Sequence, residues 1–318
     1  MPMPIGQVNA NLGDEILMRV GIPHRGGRLA SHAFESGYAA MVSASAFWNQ
    51  KAGEFSFPEM TPLMDIDWAL DSAGFTAMQN WARKGTQAGM AGIFPWSYGQ
   101  YLTHASICGA SWYSQPDCCV EPQIASSEEE VDYRIRVTAT LLEGCLRILY
   151  AWQNELVKSV SVETAMNMIR PPVPVIQGWS VDHYMRSLDL LCAVWARWQP
   201  WLAPPALIGV GSVCRRDLNH PTHGLWAVLD GLEGNLPTGS RLHMFGLKGA
   251  SLTRLKSMPW VASADSMAWD REARFKAHKA QRSNTLADRC VEMTRWMQAS
   301  AKKLKPEFDE RFPFRLAA

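Results

Sequence analysis

The chain has 318 residues, 47% of them hydrophobic, enough to bury a large core and of the size of a complete eight-stranded α/β barrel. Seven scattered cysteines, an odd number, exclude a small disulfide-stapled scaffold and lead us to expect reduced thiols in a cytoplasmic protein. A net charge of +1 excludes the bulk basic excess typical of polyanion binders, so any nucleic-acid contact must come from local charge.

In chain order, the opening MPMPIGQVNANLGDEI lacks the basic start, apolar run and small-residue cleavage site of a signal peptide. The N-terminal part, residues 1–60, which includes RLASHAFESGYAAMVSASAFW, predicts early strands or a capping hairpin. Six short apolar runs then end abruptly in polar or glycine residues: MDIDWALDSAGF (64–75), GASWYSQPDCC (109–119), PVPVIQGW (172–179), ALIGVGSVCRR (206–216), RLHMFGLKG (241–249) and VASADSMAW (261–269). Helical stretches lie between most of them, which is the alternation of an α/β protein. In a parallel barrel the carboxyl ends of such strands share one mouth, so their terminal polar residues share a pocket.

Ser126 and Ser127 followed by Glu128 to Glu130 predict a helix start, with serine capping the free amides and the acids at the positive end of the dipole. The greasiest stretch, LDLLCAVWARW (188–198), is too short and interrupted to cross a bilayer, so no membrane partner is expected. From about Asp270 the pattern turns helical. Leu286, Cys290, Met293, Trp296 and Met297 recur at three- and four-residue steps, predicting a helix packed on the barrel. Between Arg271 and Arg315, twelve Lys or Arg face six Asp or Glu, either a solvated helix face or a backbone contact to nucleic acid. The expected organisation is one domain over residues 1–318, with 270–318 as a basic helical segment.

Chemistry concentrates at two strand ends. Asp71 heads DSAGFT, where small residues leave room for a planar ligand, although an aspartate before a tight turn also serves as an amide cap. Asp265 lies in SADSMAW. Two separated carboxylates in one mouth suit displacement at an anomeric carbon, with one nucleophile and one proton carrier; they equally suit a divalent metal.

DSAGFT, PVIQGW, LIGVGSVCRR, RLHMFGLK and SADSMAW occur in an order that resembles the tRNA-guanine transglycosylase superfamily, above all its DpdA-type deazaguanine DNA modification branch. The resemblance covers roughly residues 64–270. It implies a TIM (β/α)8 barrel in which Asp265 attacks C1′ of a nucleotide, expelling guanine to form a covalent glycosyl-enzyme, while Asp71 moves protons on and off the exchanging bases. It further implies that Asp117 and Cys119 address the N1–H and 2-amino edge of the base and Gln177 and Gly178 its carbonyl edge. Gly209 and Gly211 would admit close backbone approach, with Ser72 and Phe75 completing the substrate pocket. Arg215 and Arg216 follow the glycine strand, placed either to grip phosphates beside a flipped nucleotide or to form ordinary salt bridges. His243 is either a site residue or a satisfied core histidine.

One departure bears on substrate and cofactor. The tRNA enzymes carry a C-x-C-x-x-C cluster with a later histidine that holds structural zinc, and after Asp265 only His278 and Cys290 remain. No zinc of that kind, and no other cofactor, is expected, remote ligands such as His220 or His223 aside. The missing cluster favours DNA over tRNA. The implied partners are DNA, a 7-deazaguanine such as preQ0, and modification-complex proteins or a second copy of the chain. Two other readings stay open: a tRNA-guanine transglycosylase, and a noncatalytic nucleic-acid-binding barrel.

Overall fold

A computed structural model describes residues 12–13 and 15–305; residues 1–11, 14 and 306–318, the outer ends of the terminal segments discussed above, lie outside the described residues. The strands are β1 (Leu17–Ile22), β2 (Ala40–Ser43), β3 (Trp48–Asn49), β4 (Glu54–Phe55), β5 (Trp68–Asp71), β6 (Trp112–Tyr113), β7 (Val175–Ile176), β8 (Leu207–Val210), β9 (Arg241–Met244) and β10 (Val261–Ser266). The helices are α1 (Arg28–Glu35), α2 (Gly74–Lys84), α3 (Tyr98–Ile107), α4 (Glu128–Leu156), α5 (Val162–Met168), α6 (Val181–Arg197), α7 (Leu225–Leu232), α8 (Leu252–Leu255), α9 (Ala268–Lys279) and α10 (Leu286–Leu304). Each of the six apolar runs supplies one strand. LMRVGI, which carries a buried arginine, forms a further one, and RLASHAFE is helix α1 rather than a strand.

Eight strands form one parallel sheet in the order β6-β5-β2-β1-β10-β9-β8-β7, and β3 and β4 pair as a separate antiparallel hairpin. The edge strands β6 and β7 do not pair as a ladder. The sheet curls until their ends meet at one parallel bridge, Ser114 to Val173, where Val173 N–H donates to Tyr113 O (2.8 Å) and Gln115 N–H donates to Val173 O (2.9 Å). One step further along, the Gln115 side chain takes over, its Oε1 accepting from Val175 N–H (3.0 Å). The curled sheet is thus stitched along this seam partly by side chains, and its carboxyl end opens there.

Side chains alternate across each strand, and the alternation divides the core in two. Val20, Val42, Leu70, Ile208 and Val210 belong to the large cluster that includes Leu141, Leu188, Leu229 and Met293 of the helices. Met41, Ala69, Trp112, Val173, Leu207 and Ala262 form a smaller cluster of their own, with Phe245 packed against it. Two residues beyond Met41, Ala69 and Leu207 on the same face come Ser43, Asp71 and Gly209, so the pleat carries polar residues and glycine to the carboxyl end of the inner cluster. At the amino end, Arg19 is buried and donates to Asp67 Oδ1 (3.1 Å) and Oδ2 (3.0 Å).

Ser127 caps α4, its Oγ accepting from Glu130 N–H (3.2 Å). Helix α10 packs on α9, α8, α1 and β1, with Met293 and Met297 buried and Leu286 exposed. All seven cysteines are free, and among the described residues no helix is long and apolar enough to cross a membrane.

Candidate active site

Asp71 ends β5 half-buried. Its Oδ2 accepts from Ala73 N–H (3.1 Å), and this turn sets Ala73 in the left-handed region (φ 67°) as N-cap of α2. Ser43 is its register neighbour on β2, with a hydroxyl placed to hydrogen-bond the carboxylate. Burial pushes the Asp71 carboxyl up to about 7; the negative charges of Asp117 and Asp265 add to this, and the Ala73 amide and Ser43 hydroxyl oppose it. Asp71 and Asp117, from the adjacent strands β5 and β6, and Asp265, from β10 three strands further along the sheet, therefore face one mouth.

Asp117 lies in the buried irregular segment after β6. Such a segment must satisfy its polar groups through side chains, and it does so: Cys118 N–H donates to Thr138 Oγ1 (3.0 Å), and Val120 N–H donates to Ser212 Oγ (2.9 Å). Asp117 Oδ1 accepts from Ser72 Oγ–H (2.6 Å) and its Oδ2 from Gln177 Nε2–H. Gln177 Oε1 in turn accepts from Ser212 Oγ–H (2.7 Å). A continuous hydrogen-bonded row, Ser72, Asp117, Gln177, Ser212 and Val120, thus crosses segments following β5, β6, β7 and β8. Burial raises the Asp117 carboxyl, opposed by Ser72, Gln177 and Cys119. Cys119 Sγ is 3.9 Å from both Asp117 Oδ2 and Gln177 Nε2, and burial pushes its thiol well above the ordinary cysteine range.

Two glycines are dictated by close approach. A Cβ on Gly74 would meet Asp117 Oδ1 at 2.6 Å, so only glycine lets α2 begin against that carboxylate. A Cβ on Gly211 would meet Gln177 Nε2 at 2.1 Å and its Cδ at 2.6 Å. Because Gln177 is fully buried and held at both ends of its amide, it has nowhere to swing. Gly211→Ala is therefore expected to cost about 1–3 kcal/mol through overpacking, read as a lower urea-unfolding midpoint with an unchanged slope. Gly209, on β8, lies under Phe245, and Gly178 follows β7 with its carbonyl accepting from Arg216 (2.8 Å). Phe75, on the first turn of α2 beside Asp71, is half-buried with no ring partner among the described residues.

Asp265 lies on β10, 8% exposed. Its Oδ1 accepts from Gly246 N–H (2.9 Å) and lies 3.5 Å from His243 Nε2, while its Oδ2 takes no hydrogen bond from the described residues. One oxygen is tethered and the other is bare.

Arg215 and Arg216 part company. Arg215 is exposed with φ 62°. Arg216 is buried, and its guanidinium donates to Gly178 O, Trp179 O, Ser212 O and His223 O and to Tyr184 Oη, between the Trp179 and Tyr184 rings. With every N–H turned inward it ties the β7 and β8 loops together and has none left for a phosphate, which corrects the expectation for that residue. Half of the basic residues described between Arg271 and Lys305 are paired with acids: Arg274 and Arg289 bind Asp270, Lys276 and Arg295 bind Glu292, and Arg282 binds Asp288.

Sequence reasoning missed Ser114, Ser212, Gly246 and the buried acid Glu121. Glu121 is 4% exposed, with Oε2 unpartnered among the described residues, and burial raises its carboxyl. Among the described residues one group of three metal-ligand side chains converges: Glu128, Asp132 and His183 on the outer face of α4 and α6. Arg186 already spans both acids there, at 3.1 and 2.7 Å. His220 and His223 stack on each other, both turned to the Thr222 hydroxyl.

An eight-stranded parallel α/β sheet with carboxylates at its strand ends, set over a buried carboxylate and amide pair, defines the chain as an α/β protein with acidic groups gathered at the carboxyl end of its sheet. Residues 58–311 match the family model DpdA, DeoxyPurine in DNA protein A, and the chain belongs to that family. This agrees with the resemblance carried by the motifs and points to a transglycosylase-type function in DNA modification. No curated protein matches the chain.

Proposed function

We propose that the protein is a DNA-guanine transglycosylase that replaces guanine with a 7-deazaguanine such as preQ0, working at the carboxyl mouth of its curled, TIM-like parallel sheet. The observation that carries this reading is the pairing of a carboxyl group poised near neutrality, Asp71, with a second one, Asp265, that has one tethered and one bare oxygen. Asp265 Oδ2 donates an electron pair to C1′ to form the C1′–Oδ2 bond as the C1′–N9 bond breaks, and guanine leaves with the C1′–N9 pair and takes a proton from Asp71. The incoming base gives its N9 proton to Asp71 and bonds C1′ through N9. As that bond forms, the C1′–Oδ2 bond breaks and its pair returns to the carboxylate, and two inversions give net retention.

The hydrogen-bonded row supplies recognition. Around a guanine-like base the 2-amino group, N1–H and O6 follow one another, and Asp117 and Gln177 present an acceptor and then an amide in the same order. Phe75 offers an aromatic face. No cofactor takes part in this scheme, and the base must be flipped out of a duplex to reach the mouth.

The two arginines make a paired test. Arg215→Gln is expected to leave the unfolding free energy within about 0.5 kcal/mol while lowering DNA affinity and reducing the salt slope of binding by about one. Arg216→Ala is expected to destabilise by roughly 3 kcal/mol, since several buried carbonyls lose their donor. Equal stability of the two variants contradicts this division. The function itself is tested by nucleoside mass spectrometry of DNA and tRNA from cells supplied with preQ0 and expressing the wild type or Asp265→Ala. A deazaguanine in DNA that disappears with the variant supports the proposal, and one found only in tRNA overturns the choice of substrate.

A further inference from the structure

We infer that His243 is a positioning residue for Asp265, selecting Oδ2 as the attacking oxygen and easing the return of the carboxylate; this rests on the glycosyl-transfer reading above. His243 is on β9, fully buried, with its ring edge-on to Trp112 (4.9 Å) and Phe245 (4.6 Å). An ordinary core histidine has both nitrogens satisfied by nearby groups. Here Nδ1 lies 2.8 Å from Ser263 Oγ, and Nε2 has no neighbour within reach except Asp265 Oδ1 at 3.5 Å, the outer limit of a hydrogen bond.

The tautomer follows from the partners. An ionised carboxylate only accepts, so a bare Nε2 lone pair facing it would be repelled, and Nε2 carries the hydrogen. Nδ1 then accepts from the Ser263 hydroxyl. Burial also lowers the imidazole from its ordinary range, which keeps the donor neutral, so Asp265 is oriented without being locked in a full ion pair.

Oδ1 thus has one hydrogen-bond donor, Gly246 N–H (2.9 Å), and a second, His243 Nε2–H, standing 3.5 Å away and otherwise unpartnered among the described residues. In the glycosyl ester Oδ1 is the carbonyl oxygen. When the C1′–Oδ2 bond breaks, charge returns to the carboxylate, and donors already aimed at Oδ1 favour that change because they bind the anion more strongly than the ester. Their effect is therefore larger on discharge of the covalent intermediate than on its formation.

The test follows the covalent intermediate directly, using labelled single-stranded DNA, denaturing gels and a chase with guanine as the probe base. His243→Leu, which keeps an apolar ring-sized filler and removes the donor, is expected to slow adduct discharge by about 10- to 100-fold. Adduct should accumulate while the KM for guanine stays near that of the wild type. His243→Gln, which restores an N–H, should recover part of the rate. Ser263→Ala, which leaves the ring in place and frees the tautomer, should slow discharge in the same direction by a smaller factor. Wild-type discharge rates in His243→Leu overturn the inference, as do equal slowing in the Gln and Leu variants and a rise in KM that tracks a fall in Tm. A wild type that forms no adduct at all overturns the glycosyl-transfer reading, and this inference with it.

Discussion

Asp265→Asn is expected to form no denaturation-resistant complex with labelled DNA and to lose base exchange by a factor on the order of 10⁴ or more, while folding normally. The amide has the size of the carboxylate, and its oxygen can still accept from Gly246 N–H, so the local backbone keeps its anchor. What it lacks is an anionic oxygen to bond C1′, and the scheme has no other group at that place. The measurement is a denaturing gel of enzyme and labelled oligonucleotide alongside exchange of labelled guanine. A surviving adduct would show that another residue is the nucleophile.

Asp71→Asn should reduce exchange by about 10²- to 10⁴-fold, the usual weight of a positioned acid and base. Its carboxyl, held at about 7, is populated in both forms near neutrality: the protonated form serves guanine departure and the ionised form serves entry of the new base. The same residue makes a prediction about stability. A carboxyl raised above its unfolded value of 3.8 contributes stability that is fully present below that pH and is lost as the pH rises through about 7. Asparagine has no proton to lose. The variant should therefore match the wild type in Tm below about pH 4, gain on it progressively towards pH 7, and keep a constant lead above. A lead that shrinks with rising pH would contradict the assignment of the perturbed carboxyl to Asp71.

How much of this was legible in the sequence depends on which forces are local. Strands buried on both faces read as short apolar runs, and all six that stood out are strands, because parallel pairing under helices demands that composition. Strand β1 lies in the N-terminal part expected to supply strands but did not stand out as a run of its own, because Arg19 interrupts LMRVGI, an interruption met chiefly by Asp67, nearly fifty residues away. Asp71, Asp117, Gln177 and Asp265 could be named because their motifs resemble a known order. Ser212 and Gly246 could not, since their value lies in reaching Val120 and Asp265 across the fold. Arg216 shows the limit most clearly: a charge in a chain looks available, and only the fold reveals that carbonyls have surrounded it.

The seam between β6 and β7 gives the pocket a role in holding the sheet together. Where neighbouring strands share a full ladder, backbone amides do the joining; along this line the last ties are Gln115 to Val175 and then Asp117 to Gln177. The pair that would read a base is thus also the final rung of a zipper. On the proposed function, a base seated against both groups would exchange one rung for two, bridging the halves of the mouth with its own edge, so that its binding and the closing of the sheet would become a single cooperative event.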